Sequence, residues 1–222
     1  MSQVITVGFI TEGTTDVRFL NSIIRRTFDD LTWECQQAID VYPPTALTIS
    51  KIGLTFSEYV LEAARAAEDD KLMVLCVHTD ADDESDTNTF AHRISPAFAD
   101  VETCTDAVCK NLVAIVPVRM TEAWMLADKE ALKAEIGTDK TDAQLGLIRP
   151  PESIADPKET IKDAIRLAFD HRSRRSRNQA SISDLYEPLG ATVRLERLAL
   201  LPSYQKFQEA VREAFRRLNY LH

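Results

Sequence analysis

Val4-Ile5-Thr6-Val7-Gly8-Phe9-Ile10 is a run of β-branched, aliphatic and aromatic residues, and it ends directly on Thr11-Glu12-Gly13-Thr14-Thr15-Asp16. With no helical period, such a run reads as a buried strand. A second run, residues 72–77, ends on His78-Thr79-Asp80-Ala81-Asp82-Asp83. Two buried strands thus each deliver carboxylates at their carboxyl ends. In an open α/β sheet, ligands bind along that edge. Acids gathered there repel one another unless a cation lies between them, and hard cations such as Mg2+ take oxygen ligands.

The pattern outward from these two runs is regular. Phe19, Leu20, Ile23, Ile24 and Phe28 recur at helical spacing after Thr14 or Thr15, either of which can cap. Residues 31–42, with Trp33, Cys35, Ala38-Ile39 and Val41 alternating, predict a second strand ended by Pro43-Pro44. Residues 55–69 predict a helix through Phe56, Tyr59, Val60, Ala63, Ala64 and Ala67. A loop and a helical stretch with Pro96 in a first turn lead to residues 112–118, a fourth buried run. Alternating strands and helices imply an α/β fold, a mostly parallel four-stranded sheet flanked by helices. This core is assigned to residues 1–148. A helical extension over 149–222 packs on it; a loop-rich segment over 138–157 spans the boundary, and amphipathic helices follow over 158–170 and 203–219.

The 222 residues are 45% hydrophobic and 27% charged, ordinary for a soluble globular protein. No apolar stretch approaches the roughly 20 residues that span a bilayer. The start of the chain lacks the basic, apolar and small-residue succession of a signal peptide. The expectation is a cytoplasmic protein with no membrane partner. Cys35, Cys76, Cys104 and Cys109 lack paired metal-ligand spacing and read as reduced, mostly buried thiols. The net charge of −9 argues against nucleic-acid binding by the whole surface, yet Arg172, Arg174, Arg175 and Arg177 cluster in one basic run, with Lys158 and Lys162 upstream. That run is read as a phosphate contact or as a charged loop. It contains no aromatic residue for base stacking.

Asp80 and Asp82 flank one residue, so in an extended segment both side chains point the same way. If the two strands are neighbours, Glu12 converges with them. The site could then hold one or two Mg2+ (or Mn2+) ions, or Glu12 could act as general acid or base. Gly13 permits a sharp turn into the helix and close approach of a phosphate to its amides. The alternatives are a Glu12 that merely complements the helix dipole and a solvated acidic loop over 80–86.

The stretch from Ile10 to Leu20, with its Glu12-Gly13-x-x-Asp16, resembles the first motif of the Toprim domain, and Asp80-Ala81-Asp82 resembles its Asp-x-Asp motif. Toprim domains occur in topoisomerases, primases and nucleases of the overcoming-lysogenization-defect type. Glu122-Ala123-Trp124-Met125-Leu126-Ala127-Asp128 and Asp156-Pro157-Lys158 are similar to segments of a Toprim-like family of small bacterial proteins, often encoded beside an AAA or ABC-type ATPase in phage-defence loci. The resemblance covers residues 3–170. It implies a Rossmann-like Toprim fold and a metal-dependent nuclease acting on DNA or RNA, with an ATPase partner. Glu12, Asp80 and Asp82 would be catalytic and metal-binding, Asp16 an accessory carboxylate, and Glu122 a further acid closing the site. Trp124 reads as core, between Met125 and Leu126. A non-enzymatic regulatory subunit and a small phosphate-ester hydrolase remain the competing readings.

Overall fold

The computed structural model describes residues 3–169 and 181–221. The opening run is two strands, β1 (Gln3–Ile5) and β2 (Val7–Ile10), parted at Thr6. Their partners are β3 (Ile39–Val41) and β4 (Thr45–Ala46), parted in turn by Pro43-Pro44. Proline has no N–H for a ladder, so pairing lapses there and resumes beyond.

The strand expected over 31–42 is mostly a turn. α1 (Thr14–Leu31) closes in a 3-10 turn, Thr32–Glu34. There the Cys35 N–H donates to the Thr32 carbonyl at 3.0 Å and the Thr32 hydroxyl donates to that of Asp29 at 2.7 Å. Local bonds satisfy this backbone, so it does not extend, and Trp33 stands 90% exposed.

α2 (Phe56–Asp69) starts where expected, because Thr55 and Glu58 cap each other's backbone amides. β5 (Val74–His78) follows. A short α3 (Thr87–Thr89) leads through a π-helical stretch, Phe90–Ile94, into α4 (Ser95–Thr103), with Pro96 in its first turn. β6 (Leu112–Ile115) completes a sheet of order β4-β2-β5-β6, parallel throughout, and the expected mostly parallel α/β architecture is present. Beyond it lie α5 (Thr121–Met125), α6 (Lys129–Ile136), α7 (Pro157–Ala168), α8 (Tyr186–Thr192), α9 (Leu195–Leu198) and α10 (Pro202–Arg217).

Side chains of β5 alternate between two cores, as strand geometry requires. Val74 and Cys76 join Phe19, Ile23 and Phe28 of α1 with Tyr204 and Phe207 of α10. Leu75 and Val77 join Val60, Ala63 and Ala64 of α2 with Ala97 and Val101 of α4. The boundary expected at 148 therefore separates no two cores: the carboxyl-terminal helices complete one face of the sheet. Trp124 meets the Tyr204 ring edge-on at 5.2 Å and donates to the Ser203 hydroxyl at 2.7 Å. α8 lies so close to α1 that a Cβ on Gly190 would sit 2.5 Å from the Phe19 carbonyl oxygen. Cys76 and Cys109 are buried, Cys35 and Cys104 half-buried, and all four are free thiols. Among the described residues, no helix is long and apolar enough to cross a membrane.

Candidate functional site

β2 and β5 are neighbours with Ile10 opposite Val77, so the residues just past each strand meet. Glu12 Oε2 accepts from the Thr79 hydroxyl at 2.9 Å and from the Asp80 N–H at 3.2 Å. β6 flanks β5 on the other side, and the chain leaving it brings Thr121 to Asp80. Asp80 Oδ1 accepts from the Thr121 N–H at 2.9 Å and from its hydroxyl at 3.3 Å. Glu12 and Asp80 thus converge, as the strand pattern predicts.

His78 ties these strand ends together. It is 2% exposed, and its Nδ1 accepts from the Glu12 N–H at 3.4 Å. The hydrogen therefore belongs on Nε2, which lies 3.1 Å from the Thr121 hydroxyl and 3.3 Å from Asp80 Oδ1. One imidazole so links segments from three strands. In the sequence His78 is only the polar residue that follows the buried run over 72–77.

Asp82 departs from expectation. Its φ of 54° is left-handed, so an extended backbone does not set it beside Asp80. The β5–β6 ladder instead continues irregularly, Ala81 N–H to the Pro117 carbonyl and Asp82 N–H to that of Arg119, and turns Asp82 outward. Asp82 is exposed but stays within electrostatic reach of the other acids: partial desolvation, then the charges of Asp80 and Glu12, raise its pKa, with Arg93 opposing.

Asp16 has a structural task. Its Oδ2 accepts from the Gly13 N–H at 2.8 Å, so it, and neither Thr14 nor Thr15, caps α1. Burial raises its pKa; the His78 ring opposes this and the Asp80 charge adds to it. Gly13 is extended, with φ −119°, and needs no conformational licence. A Cβ there would lie 2.9 Å from Asp16 Oδ2, so glycine makes room for the capping carboxylate.

The motif from Glu122 to Asp128 divides into three roles. Glu122, in the first turn of α5, is sealed: the Tyr186 hydroxyl donates to Oε1 and Lys158 Nζ lies 3.2 Å from it, leaving the side chain 5% exposed. Trp124 is core, as expected, at 0% exposure. Asp128 caps α6 through the Ala131 N–H and takes both Nε and Nη2 of Arg194 at 2.7 Å. Those Arg194 bonds are the largest cause holding its pKa down at about 2.

Asp156 caps α7 ahead of Pro157, which presents Lys158 to Glu122. Lys162 is engaged one turn back by Glu159 at 3.0 Å. Burial, and then the bond to Glu122, push the Tyr186 hydroxyl pKa up. Arg172, Arg174, Arg175 and Arg177 lie outside the described residues.

Two cations that sequence reading passed over stand on the open side. Lys51 Nζ donates to the carbonyls of Thr11 at 2.9 Å and Glu12 at 2.6 Å. Arg93 comes within 3.9 Å of Glu12 Oε1. Neither sits in a motif, and both reach the site from loops and helices distant in sequence.

The donor chemistry suits a hard cation. Every candidate is a carboxylate, and each keeps an oxygen without a hydrogen bond among the described residues: Oε1 of Glu12, Oδ2 of Asp80 and both oxygens of Asp82. Pinning one oxygen of an acid orients the other, as outer partners do around metal ligands. Among the described residues, however, no three His, Cys, Asp or Glu side chains are gathered as a ready cage. The carboxylates fit an ion that keeps several waters, as Mg2+ does.

No curated protein and no solved structure matches this chain. A family model does, from Thr11, just ahead of Glu12, to Ala191, just past Tyr186. The site's residues lie within that span, and the chain belongs to the family described as "Domain of unknown function (DUF4276)", matched over residues 11–191.

Proposed function

We propose that this protein hydrolyses phosphodiester bonds of DNA or RNA with Mg2+ or Mn2+. The observation that carries this reading is the meeting of Glu12 and Asp80 at two adjacent strand ends, with Asp82 near enough that, beyond partial desolvation, their charges raise its pKa. Glu12, Asp80 and Asp82 would hold the ion. When bound, it would offset their repulsion, orient a phosphate and lower the pKa of a water.

The chain's own residues fix the geometry. Thr79 and the Asp80 amide hold Glu12 Oε2, leaving Oε1 to accept a proton from an attacking water. His78 and Thr121 hold Asp80 Oδ1 and leave Oδ2 outward. Lys51 and Arg93 supply positive charge beside Glu12 for a phosphate.

A second reading, a non-enzymatic regulatory subunit, is favoured by one observation: the acids are already satisfied in part by protein donors and form no ready cage among the described residues. The experiment is nicking of single- and double-stranded DNA and RNA with Mg2+ or Mn2+, with and without an ATPase encoded beside it. Wild-type cleavage that is lost in Glu12→Gln and Asp80→Asn supports the hydrolase. No cleavage under any of these conditions, or equal cleavage by the variants, overturns it.

A further inference from the structure

A cleft opens beside Glu12 that the carboxylates do not occupy. It lies between the loop over 51–55, the first turns of α2 and the π-helical stretch, is open to solvent, and has a cavity volume of about 170 Å³. That is smaller than the roughly 300–1,000 Å³ of sites that enclose a whole ligand, and suits one flat group of a longer one. Its walls pair cations with rings. Arg93 lies 4.6 Å over the Phe56 ring, and Lys51 lies 5.0 Å over the Tyr59 ring. Neither cation is closely neutralised. Among the described residues Lys51 has only carbonyl acceptors, and Arg93 has Glu12 at 3.9 Å and Asp82 within electrostatic reach, with no close ion pair to either. Arg93 is 35% exposed, and Leu54, at 37%, forms an apolar lip.

We propose that this cleft seats one unpaired nucleotide of the substrate, next to the phosphate presented to Glu12. The inference rests on the phosphodiester reading and narrows its substrate to single strands or unpaired ends. Two cations without a close carboxylate partner suit a phosphate. A guanidinium plane and an aromatic ring suit the flat face of a base, whichever base it is. A base within a duplex is paired on its edge and stacked on both faces, so it enters a pocket of this size only by leaving the stack, at a cost that a single strand does not bear.

The test is fluorescence anisotropy in EDTA, which reads binding without cleavage. The probes are a labelled short oligothymidylate, a blunt duplex of the same length, and thymidine monophosphate as competitor. The single strand is expected to bind at least about tenfold more tightly than the duplex. Arg93→Ala and Leu54→Trp, the second filling the cleft without altering charge, should each weaken single-strand binding about tenfold. Lys110→Ala, outside the cleft, is the control and should bind as wild type does. Circular dichroism reports whether each variant is folded.

Competition by the monophosphate supports recognition of the nucleotide unit. Monophosphate binding without oligonucleotide binding overturns a strand substrate. Duplex binding as tight as single-strand binding, or wild-type affinity in both folded cleft variants, overturns the cleft. If binding behaves as expected but no metal ion brings cleavage, the hydrolase reading falls and the cleft stands. If cleavage occurs with an unchanged KM in Arg93→Ala and Leu54→Trp, the reverse holds.

Discussion

The two ends of the acidic edge use the same kinds of group to opposite effect. At one end Glu12 is 42% exposed and faces Arg93 at 3.9 Å across a cleft open to solvent. At the other, Glu122 is 5% exposed and closed in by Tyr186 and Lys158, with the Asp128–Arg194 pair beyond it. An acid with a free oxygen and a distant cation is available to a ligand. A buried acid whose charge is already met by close donors holds helices together. Proximity in sequence to a strand end does not separate these roles; burial and partner geometry do.

Substitutions can break this contrast. Glu12→Gln, at the open end, should lower metal-dependent cleavage roughly a thousandfold, since general acid–base groups contribute about 10²–10⁴. Its melting temperature should hold or rise, because a like charge is removed. A folded Glu12→Gln that cleaves normally would take Glu12 out of the chemistry.

Asp128→Ala, at the sealed end, should do the opposite. It removes a helix cap and leaves Arg194 unpaired, a loss of about 3 kcal/mol in urea unfolding. A change below about 0.5 kcal/mol would show that the pair is ornamental to folding. Tyr186→Phe should cost about 2 kcal/mol, because it withdraws a buried donor from a buried carboxylate. Gly13→Ala should cost about 1 kcal/mol by displacing the Asp16 cap, visible as faster amide exchange in the first turn of α1.

The smallest effect is a difference in sign with pH. Asp128 has its pKa lowered from 3.8 to about 2, so its contribution is fully present above the ordinary value and is lost as pH falls toward 2. Asp82 has its pKa raised, so ionising it costs the folded state stability as pH rises through that raised value. Asp82→Asn should therefore melt above wild type at neutral pH, with the gain fading in acid. Asparagine also tolerates the left-handed φ at this position. Asp128→Asn should melt below wild type at neutral pH, with the deficit fading in acid. Parallel slopes for the two variants would erase the contrast.

The sequence made the open end partly legible. Glu12 and Asp80 follow apolar runs, and local pattern suffices to place such residues at strand ends. The meeting of those ends needed only that the strands be adjacent. Asp82 was misplaced because its left-handed backbone is set by the Arg119 and Pro117 carbonyls across the ladder, not by Asp-x-Asp spacing. The partners Lys51, Arg93 and Tyr186 were illegible, since each comes from an element whose position depends on tertiary packing. Residues 31–42 show the same limit: alternation at Trp33 and Cys35 imitates a strand, while hydrogen bonds around Thr32 keep the segment turned.

The interruption at Pro43-Pro44 has a consequence for how these molecules behave in a crowd. β4 is an outer edge of the four-stranded sheet, and it offers only Thr45 and Ala46 after two residues without amide hydrogens. A long, bare edge would template the strand of a neighbouring molecule, the first step toward fibrils. Here an incoming strand finds too short a run of donors and acceptors to zip onto. Replacing both prolines with valine would lengthen that edge and is where we would look first for a protein that folds yet precipitates.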